Sequence, residues 1–474
     1  MAPVDSELLR RTAELAIAHL EALPSRAVGA TRGAAEMQAA LAAPLPEEGV
    51  AAGRVIEELV RDTDGGLVAS PGARYFGFVT GGVLPAALAA DWLASAWDQN
   101  AFSAISSPAL AAIEAVAADW IKDVLGLPPG AGVGFTTGAQ MANVTGLAVA
   151  RQVMLARAGW DVAERGLIGA PPLTVVVGQE AHVTVLRALR LLGLGSGTAR
   201  VVPVDDHGRM RTDALGPALD GAPGPAIVCA QAGNVNSGAS DPFEEIVAIA
   251  RARGAWVHVD GAFGLWAAAS PELRHEVTGV ETADSWASDA HKWLNVPYDC
   301  GIVMVADAAA HRAAMSMTAA YLAGAGDEER SNSDWVPEAS RRARGLTVYA
   351  ALRSLGGAGV RELIERCCTL ARRMAAALAA EPGLEILNDV VLNQVLVRVG
   401  DDDEATDATV AAVQHDGRCW LGGTRWQGRA AMRISISSWA TTGDDVDRSA
   451  AAIAAAARTV LRSTSARSER VQQR

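Results

Sequence analysis

Apolar residues follow two rhythms along this chain. From about residue 71 to residue 320, short unbroken runs rich in β-branched residues alternate with segments whose apolar positions recur every three to four residues. The runs are Leu173–Val177, Arg200–Val204, Ala226–Cys229, Ala255–Val259 and Gly301–Val305, and the helical segments include Asn143–Ala158, Val183–Leu192 and Pro242–Arg251. Continuously apolar strands are buried on both faces, so this alternation predicts an α/β fold with a mostly parallel sheet covered above and below by helices. Ahead of this region, residues 1–70 read as helices broken by Pro and Gly, including Ser6–Glu21 and Pro46–Asp62. After Gly356 the pattern changes to a long Ala-rich helix with an amphipathic stretch at Arg361–Leu378. It continues with a strand at Val390–Arg398, a charged turn at Asp401–Asp407, another helix and a strand at Ala431–Ser437. The expected division is an N-terminal helical segment over 1–70, a large α/β domain over 71–325 and a small α+β domain over 326–474. The polar tail Ser463–Arg474 is expected to fray, and no internal repeat is visible.

Composition narrows the class. Half of the 474 residues are apolar and 20% are charged, which fits a globular protein with an ample core. A net charge of −13 argues against nucleic acid or an anionic membrane as partner. The Ala-rich stretches Val83–Ala90 and Ala450–Ala457 are too short or too interrupted to span a bilayer, and no basic-then-apolar signal opens the chain. The five cysteines form no CxxC pair and no metal-ligand spacing, so reduced thiols and a cytoplasmic location are expected. Adjacent Cys367 and Cys368 read as small packing residues, and no metal site is expected.

Lysine changes the picture. Of 41 Lys and Arg residues, only Lys122 and Lys292 are lysine. Arginine stays protonated and cannot act as an amine nucleophile, so a chain that otherwise uses arginine keeps lysine where an amine must form a Schiff base. Lys122 lies in a helical stretch and reads as a surface amine. Lys292 lies in Ser288-Asp289-Ala290-His291-Lys292-Trp293, just before an apolar strand. Upstream, Trp256-Val257-His258-Val259-Asp260-Gly261-Ala262-Phe263 ends a buried strand on a carboxylate. Taken alone, Asp260 suits a metal ligand, a helix cap or a partner for a protonated ring nitrogen. Gly134-Phe135-Thr136-Thr137-Gly138-Ala139 runs from a strand through a Thr/Gly turn into a helix, a place where backbone N–H groups attract phosphate. His182 stands at another strand-to-helix junction.

Together these segments resemble the group II pyridoxal-phosphate-dependent amino-acid decarboxylases, which include the aromatic-amino-acid, glutamate and cysteine-sulfinate enzymes. The similarity runs from about Tyr75 to Thr442 and rests most heavily on Asp-Ala-His-Lys-Trp-Leu with His-Val-Asp-x-Ala upstream. It implies the pyridoxal-phosphate-dependent transferase fold of type I, aspartate-aminotransferase-like, with a seven-stranded sheet. It also implies a homodimer, in which the N-terminal helices clasp the partner. On the same resemblance Lys292 binds pyridoxal 5'-phosphate covalently, Asp260 pairs with the ring nitrogen, Ala262 packs under the ring and His182 stacks over it. Thr137, Gly138 and Ala139 cradle the phosphate with His291 beside it. Asn234 occupies a place where the family often has Thr, and Thr80 and Phe102 match substrate-pocket positions, with Phe78, Trp97 and Ser103 as further candidates. Arg433 suits either a substrate carboxylate or a structural salt bridge, and Arg425 is a candidate partner for an acidic side chain.

One segment departs from the family. The relatives carry a Tyr on a loop that reaches the partner's site and protonates the reacting carbon, whereas Ala323–Ser340 contains no Tyr. With Trp335 as the marker of the matching segment, the Tyr position falls near Asn332. The resemblance therefore implies decarboxylation of an L-amino acid, with an aromatic or apolar side chain favoured because no basic cluster marks the pocket. Aldehyde formation, transamination or retro-aldol cleavage stand as alternatives on the same cofactor, and a non-catalytic cofactor-binding protein as an alternative of a different class.

Overall fold

The computed structural model describes residues 5–317 and 331–472. Its centre is a seven-stranded sheet formed by β1 (Gly132–Thr136), β2 (Thr174–Gly178), β3 (Arg200–Val202), β4 (Ala226–Gln231), β5 (Trp256–Asp260), β6 (Ser285–Asp289) and β7 (Gly301–Val305). The spatial order is β1-β7-β6-β5-β4-β2-β3. Strands β2 to β6 pair in parallel, while β7 runs antiparallel to both β1 and β6. Because β7 is reversed on both sides, β1 points the same way as the parallel strands.

Both faces of this sheet are covered, as the unbroken apolar runs require. Val176, Val228, Ala230, Val257 and Val259 pack into one core with the helices Pro108–Leu125 and Phe243–Arg251. Their alternating neighbours Val175, Val177, Ile227 and Cys229 pack into another with the helices Ala139–Arg157 and Val183–Leu191. The chain adds β3 on one side of β2 and then β4, β5 and β6 on the other, so strand order reverses between β2 and β4. Ligands bind beyond the carboxyl ends of the strands at such a reversal. That edge collects the residues following β1, β2, β4, β5 and β6, together with the start of β7.

A second, fully antiparallel sheet of order β10-β11-β9-β8 comprises β8 (Leu384–Ile386), β9 (Gln394–Val399), β10 (Gly422–Trp426) and β11 (Arg429–Ser435). The helix Arg344–Ala379 joins the two sheets and bends at Gly356, whose φ of 62° breaks helical geometry. Its residues Val348 to Cys368 pack into the core of the large sheet, and Leu370 to Leu378 pack under the small one. The segment Asp401–Asp407, expected as a turn, instead begins the helix Asp403–Asp416. Asp402 caps it by accepting the Ala405 N–H at 2.6 Å, and acidic residues are favoured at a helix start.

The N-terminal helices Ser6–Ala22, Ala34–Leu41 and Ala52–Thr63 contain no buried residue. Leu9 is 60% exposed, and Ile17, Val55 and Leu59 are also open. Five free cysteines are all buried, and among the described residues no helix is long and apolar enough to cross a membrane.

Candidate active site

Strand β6 ends on Asp289, whose carboxylate is almost fully buried. A buried carboxylate is tolerated only when hydrogen-bonded or paired, and this one serves three elements at once. Its Oδ1 accepts the Ala139 N–H at 2.6 Å, at the start of the helix after β1. The same oxygen lies 3.3 Å from His291 Nε2, and Oδ2 lies 3.3 Å from Lys292 Nζ. His291 Nδ1 accepts the Cys300 N–H at 3.1 Å, so its proton sits on Nε2 and faces Asp289. Burial pushes the His291 imidazole below its ordinary pKa, against the opposing pull of Asp289. The Tyr298 ring lies 4.3 Å from His291, and its hydroxyl is 3.5 Å from Thr80 Oγ1.

Strand β5 ends on Asp260, which is 4% exposed. Its bonds are long: Ala262 N–H donates at 3.3 Å and Thr184 Oγ1 lies 3.5 Å away. Among the described residues no cluster of His, Cys, Asp and Glu could hold a metal, and the hydrogen bonds to the Asp260 carboxylate are one turn bond and one weak hydroxyl contact. His182 Nδ1 lies 2.7 Å from the same Thr184 hydroxyl. Burial lowers the His182 pKa; Asp260 opposes this, while Lys292 and Arg433 reinforce it. Burial thus favours the neutral imidazole, and Asp260, Lys292, Arg433 and Asp289 are all near enough to act on it.

The turn after β1 closes the cleft. A side chain on Gly301 would run into Gly138, with its Cβ 2.3 Å from the Gly138 carbonyl carbon, so two backbones touch where β7 begins. Ala139 gives its N–H to Asp289, Gly138 is buried and Thr137 is partly exposed. Asn234 is fully buried and its Oδ1 accepts the N–H groups of Asn236 (2.8 Å) and Ser237 (3.2 Å), making it a turn residue as well as a cleft residue. Arg433, on β11, is half-buried. Among the described residues its guanidinium has no carboxylate or hydrogen-bond partner, and burial lowers its pKa.

The other candidates divide. Thr80 is buried beside Tyr298, whereas Phe78 is 61% exposed and tilts against Trp420 at 5.5 Å. Trp97 is exposed at the end of its helix. Ser103 turns its hydroxyl to Ser106 at 3.3 Å. Phe102 lies in a segment tied to the chain after the departing loop, with Ser333 N–H donating to its carbonyl at 2.9 Å. Asn332 is buried and donates to the Ala101 carbonyl at 3.4 Å, and Trp335 meets His311 edge-on, so this stretch serves as an anchor. Residues 323–330 of the Tyr-free segment lie outside the described residues. Arg425 points to solvent and pairs with Asp407 at 2.8 Å. Sequence reasoning missed Asp289, Thr184, Tyr298 and Trp420. Asp289 carried a signal, since it ends a strand three residues before Lys292.

The model of the pyridoxal-dependent decarboxylase conserved domain matches residues 37–399 of this chain. The chain belongs to this family. An aromatic-L-amino-acid decarboxylase of Drosophila lebanonensis is 30% identical over 391 residues, covering 78% of this chain and 95% of that protein. Tryptophan decarboxylase 1 of Oryza sativa is 29% identical over 402 residues, 78% of this chain and 77% of that protein. Phenylacetaldehyde synthase of Arabidopsis thaliana is 28% identical over 71% of this chain and 72% of that one. The solved structure of Oryza sativa TDC with PLP and tryptamine superposes with a TM-score of 0.89 at 25% identity, covering 97% of this chain and 99% of that one. The fold is therefore type I, as the resemblance implied, and pyridoxal phosphate is the cofactor. The donor set fits it: an underused buried carboxylate for the ring nitrogen, a primary amine for the aldehyde, and a helix start with a Thr/Gly turn for the phosphate.

Proposed function

We propose that this carboxy-lyase converts an aromatic L-amino acid to its amine and CO2. The observation that carries the substrate class is the pairing of Arg425 with Asp407 on the surface, while the aromatic Tyr298 lies between buried Thr80, 3.5 Å from its hydroxyl, and His291, 4.3 Å from its ring. An acidic substrate side chain requires a dedicated cation, whereas an aromatic one gains very roughly 1.5–3 kcal/mol by burial against rings. The relatives named for tryptophan and aromatic amino acids support the same reading.

The bound cofactor supplies an electron-withdrawing ring conjugated to the substrate nitrogen. Lys292 would hold it covalently through its amine. Asp260 would be the partner for its ring nitrogen, and His182, as a neutral imidazole, and Ala262 would flank the ring. Thr137, Gly138 and Ala139 hold the phosphate end, with His291 beside them and Asn234 lining the cleft. Arg433 orients the substrate carboxylate, and Thr80 and Phe102 border the side-chain pocket. The chain works as a cytoplasmic homodimer divided at about residues 70 and 325, and the bare apolar faces of the N-terminal helices support such an assembly. Amino-acid titration tests the substrate class. Phenylalanine, tyrosine or tryptophan should perturb the visible spectrum at lower concentration than glutamate or aspartate, and Arg425→Ala should leave that order unchanged. Productive binding by the acidic pair alone, abolished in Arg425→Ala, would reverse the assignment.

A second reading, oxidative conversion to an aldehyde, is favoured by the absence of Tyr from Ala323–Ser340. A proton delivered to the substrate α-carbon after CO2 leaves gives the amine. If dioxygen takes the electrons instead, water completes the balance to aldehyde, ammonia and hydrogen peroxide. Tyr321 precedes the Tyr-free segment by two residues, and it lies outside the described residues. The other three tyrosines are placed: Tyr75 on Trp420, Tyr298 on His291 and Tyr349 on Trp120. If Tyr321 is the acid, Tyr321→Phe should lower amine formation about 10²–10⁴-fold, the range of a general acid, and raise the aldehyde share. Unchanged amine output in that variant would remove Tyr321 from the reaction.

A further inference from the structure

Asn295 follows Lys292 by three residues and adopts a φ of 56°, a left-handed conformation that Asn tolerates better than most side chains. It is completely buried, and each of its polar groups is engaged. Its N–H donates to the Lys292 carbonyl at 3.2 Å, and its own carbonyl accepts the Leu84 N–H at 2.8 Å. The side-chain Nδ2 donates to the carbonyls of Trp293 (2.9 Å) and Ser437 (3.0 Å) and lies 3.4 Å from that of Lys292. Oδ1 accepts the Trp439 N–H at 2.8 Å, which fixes the orientation of the amide. These partners belong to the Lys292 turn, the exit from β11 and the start of the helix Pro85–Trp97. From another side Gly81 presses on the same turn, where a Cβ would stand 1.7 Å from the Lys292 carbonyl oxygen.

We infer that Asn295 is a positioning residue for Lys292, clamping the backbone from which Nζ reaches the cofactor. The inference rests on the reading that Lys292 carries the cofactor. In that step Nζ condenses with the aldehyde of pyridoxal phosphate, a carbon–nitrogen double bond forms and one water leaves. Such a step depends on placement, and a displacement of about 1 Å can cost about 10²-fold in rate. An aspartate of the same shape would set carboxylate oxygen against the carbonyls of Trp293 and Ser437. Glycine accepts the φ but removes the side-chain bonds.

The test is a double comparison on full-length protein stripped of cofactor and mixed with pyridoxal phosphate. Asn295→Gly should slow the rise of the visible band at least ~10-fold. In a Lys292→Ala background, where only non-covalent binding remains, adding Asn295→Gly should change cofactor affinity less than about 2-fold, because the residue acts only through the missing lysine. An unchanged attachment rate would overturn the inference. So would an affinity loss of equal size in the Lys292→Ala background, which marks general damage to the site. If Asn295→Gly shows no cooperative thermal transition, the isosteric Asn295→Asp carries the same comparison. A wild-type protein that develops no visible band fails at the cofactor reading itself, before Asn295 is tested.

Discussion

Lys292→Ala should abolish covalent attachment of pyridoxal phosphate and lower turnover on the order of 10⁴-fold or more, the scale seen when a covalent catalyst is removed. The fold should survive. Among the described residues the Lys292 amine has one ionic contact, at 3.3 Å to Asp289, and that carboxylate keeps the Ala139 N–H and His291 when the lysine is gone. The Asp289 carboxylate loses its cation but keeps two hydrogen-bond donors, the Ala139 N–H and His291, which limits the loss of stability. Lys292→Arg should not restore activity, because guanidinium stays protonated. Borohydride reduction followed by peptide mass analysis reads the attachment site, and thermal unfolding reads the fold. Label on Lys122 instead, or turnover within tenfold of the parent, would contradict this account.

Asp260→Asn should reduce turnover about 10²–10⁴-fold while Lys292 still binds the cofactor. The side chain keeps its size and loses its charge, so the ring nitrogen loses the counter-ion that keeps it protonated. Removing one partner of a buried ion pair costs roughly 3–5 kcal/mol, and each 1.36 kcal/mol on the barrier is tenfold. Single-turnover kinetics, compared with cofactor retention after dialysis, separates lost chemistry from lost binding. A decrease below tenfold would mean that the 3.3 Å turn bond to Ala262, and not the cofactor, is the main use of this carboxylate.

Much of the architecture was legible because period and burial agree. The runs that became β2, β4, β5 and β7 are mostly apolar and lie inside the sheet, away from its edges. Strand β6 was not read, since Ser-Trp-Ala-Ser-Asp carries no apolar run and is buried only because β5 and β7 flank it. Strands β8 and β10 are short sheet edges, and the latter opens on two glycines. The site was legible where residues follow strand ends, since a parallel sheet brings those ends to one edge. Asp289 and Asn295 were not, because their roles are set by distant partners: Ala139 for the first, Ser437 and Trp439 for the second. Arg425 and Arg433 looked alike in sequence. The hairpin of β10 and β11 leaves the first at the surface with Asp407 and partly buries the second.

The most direct test of decarboxylation is product stoichiometry. Holoenzyme incubated in air with L-tryptophan, L-tyrosine or L-phenylalanine should release CO2 and the corresponding amine in equal amounts, without peroxide. Aldehyde, ammonia and hydrogen peroxide accompanying the CO2, or a ketoacid without CO2, would contradict it.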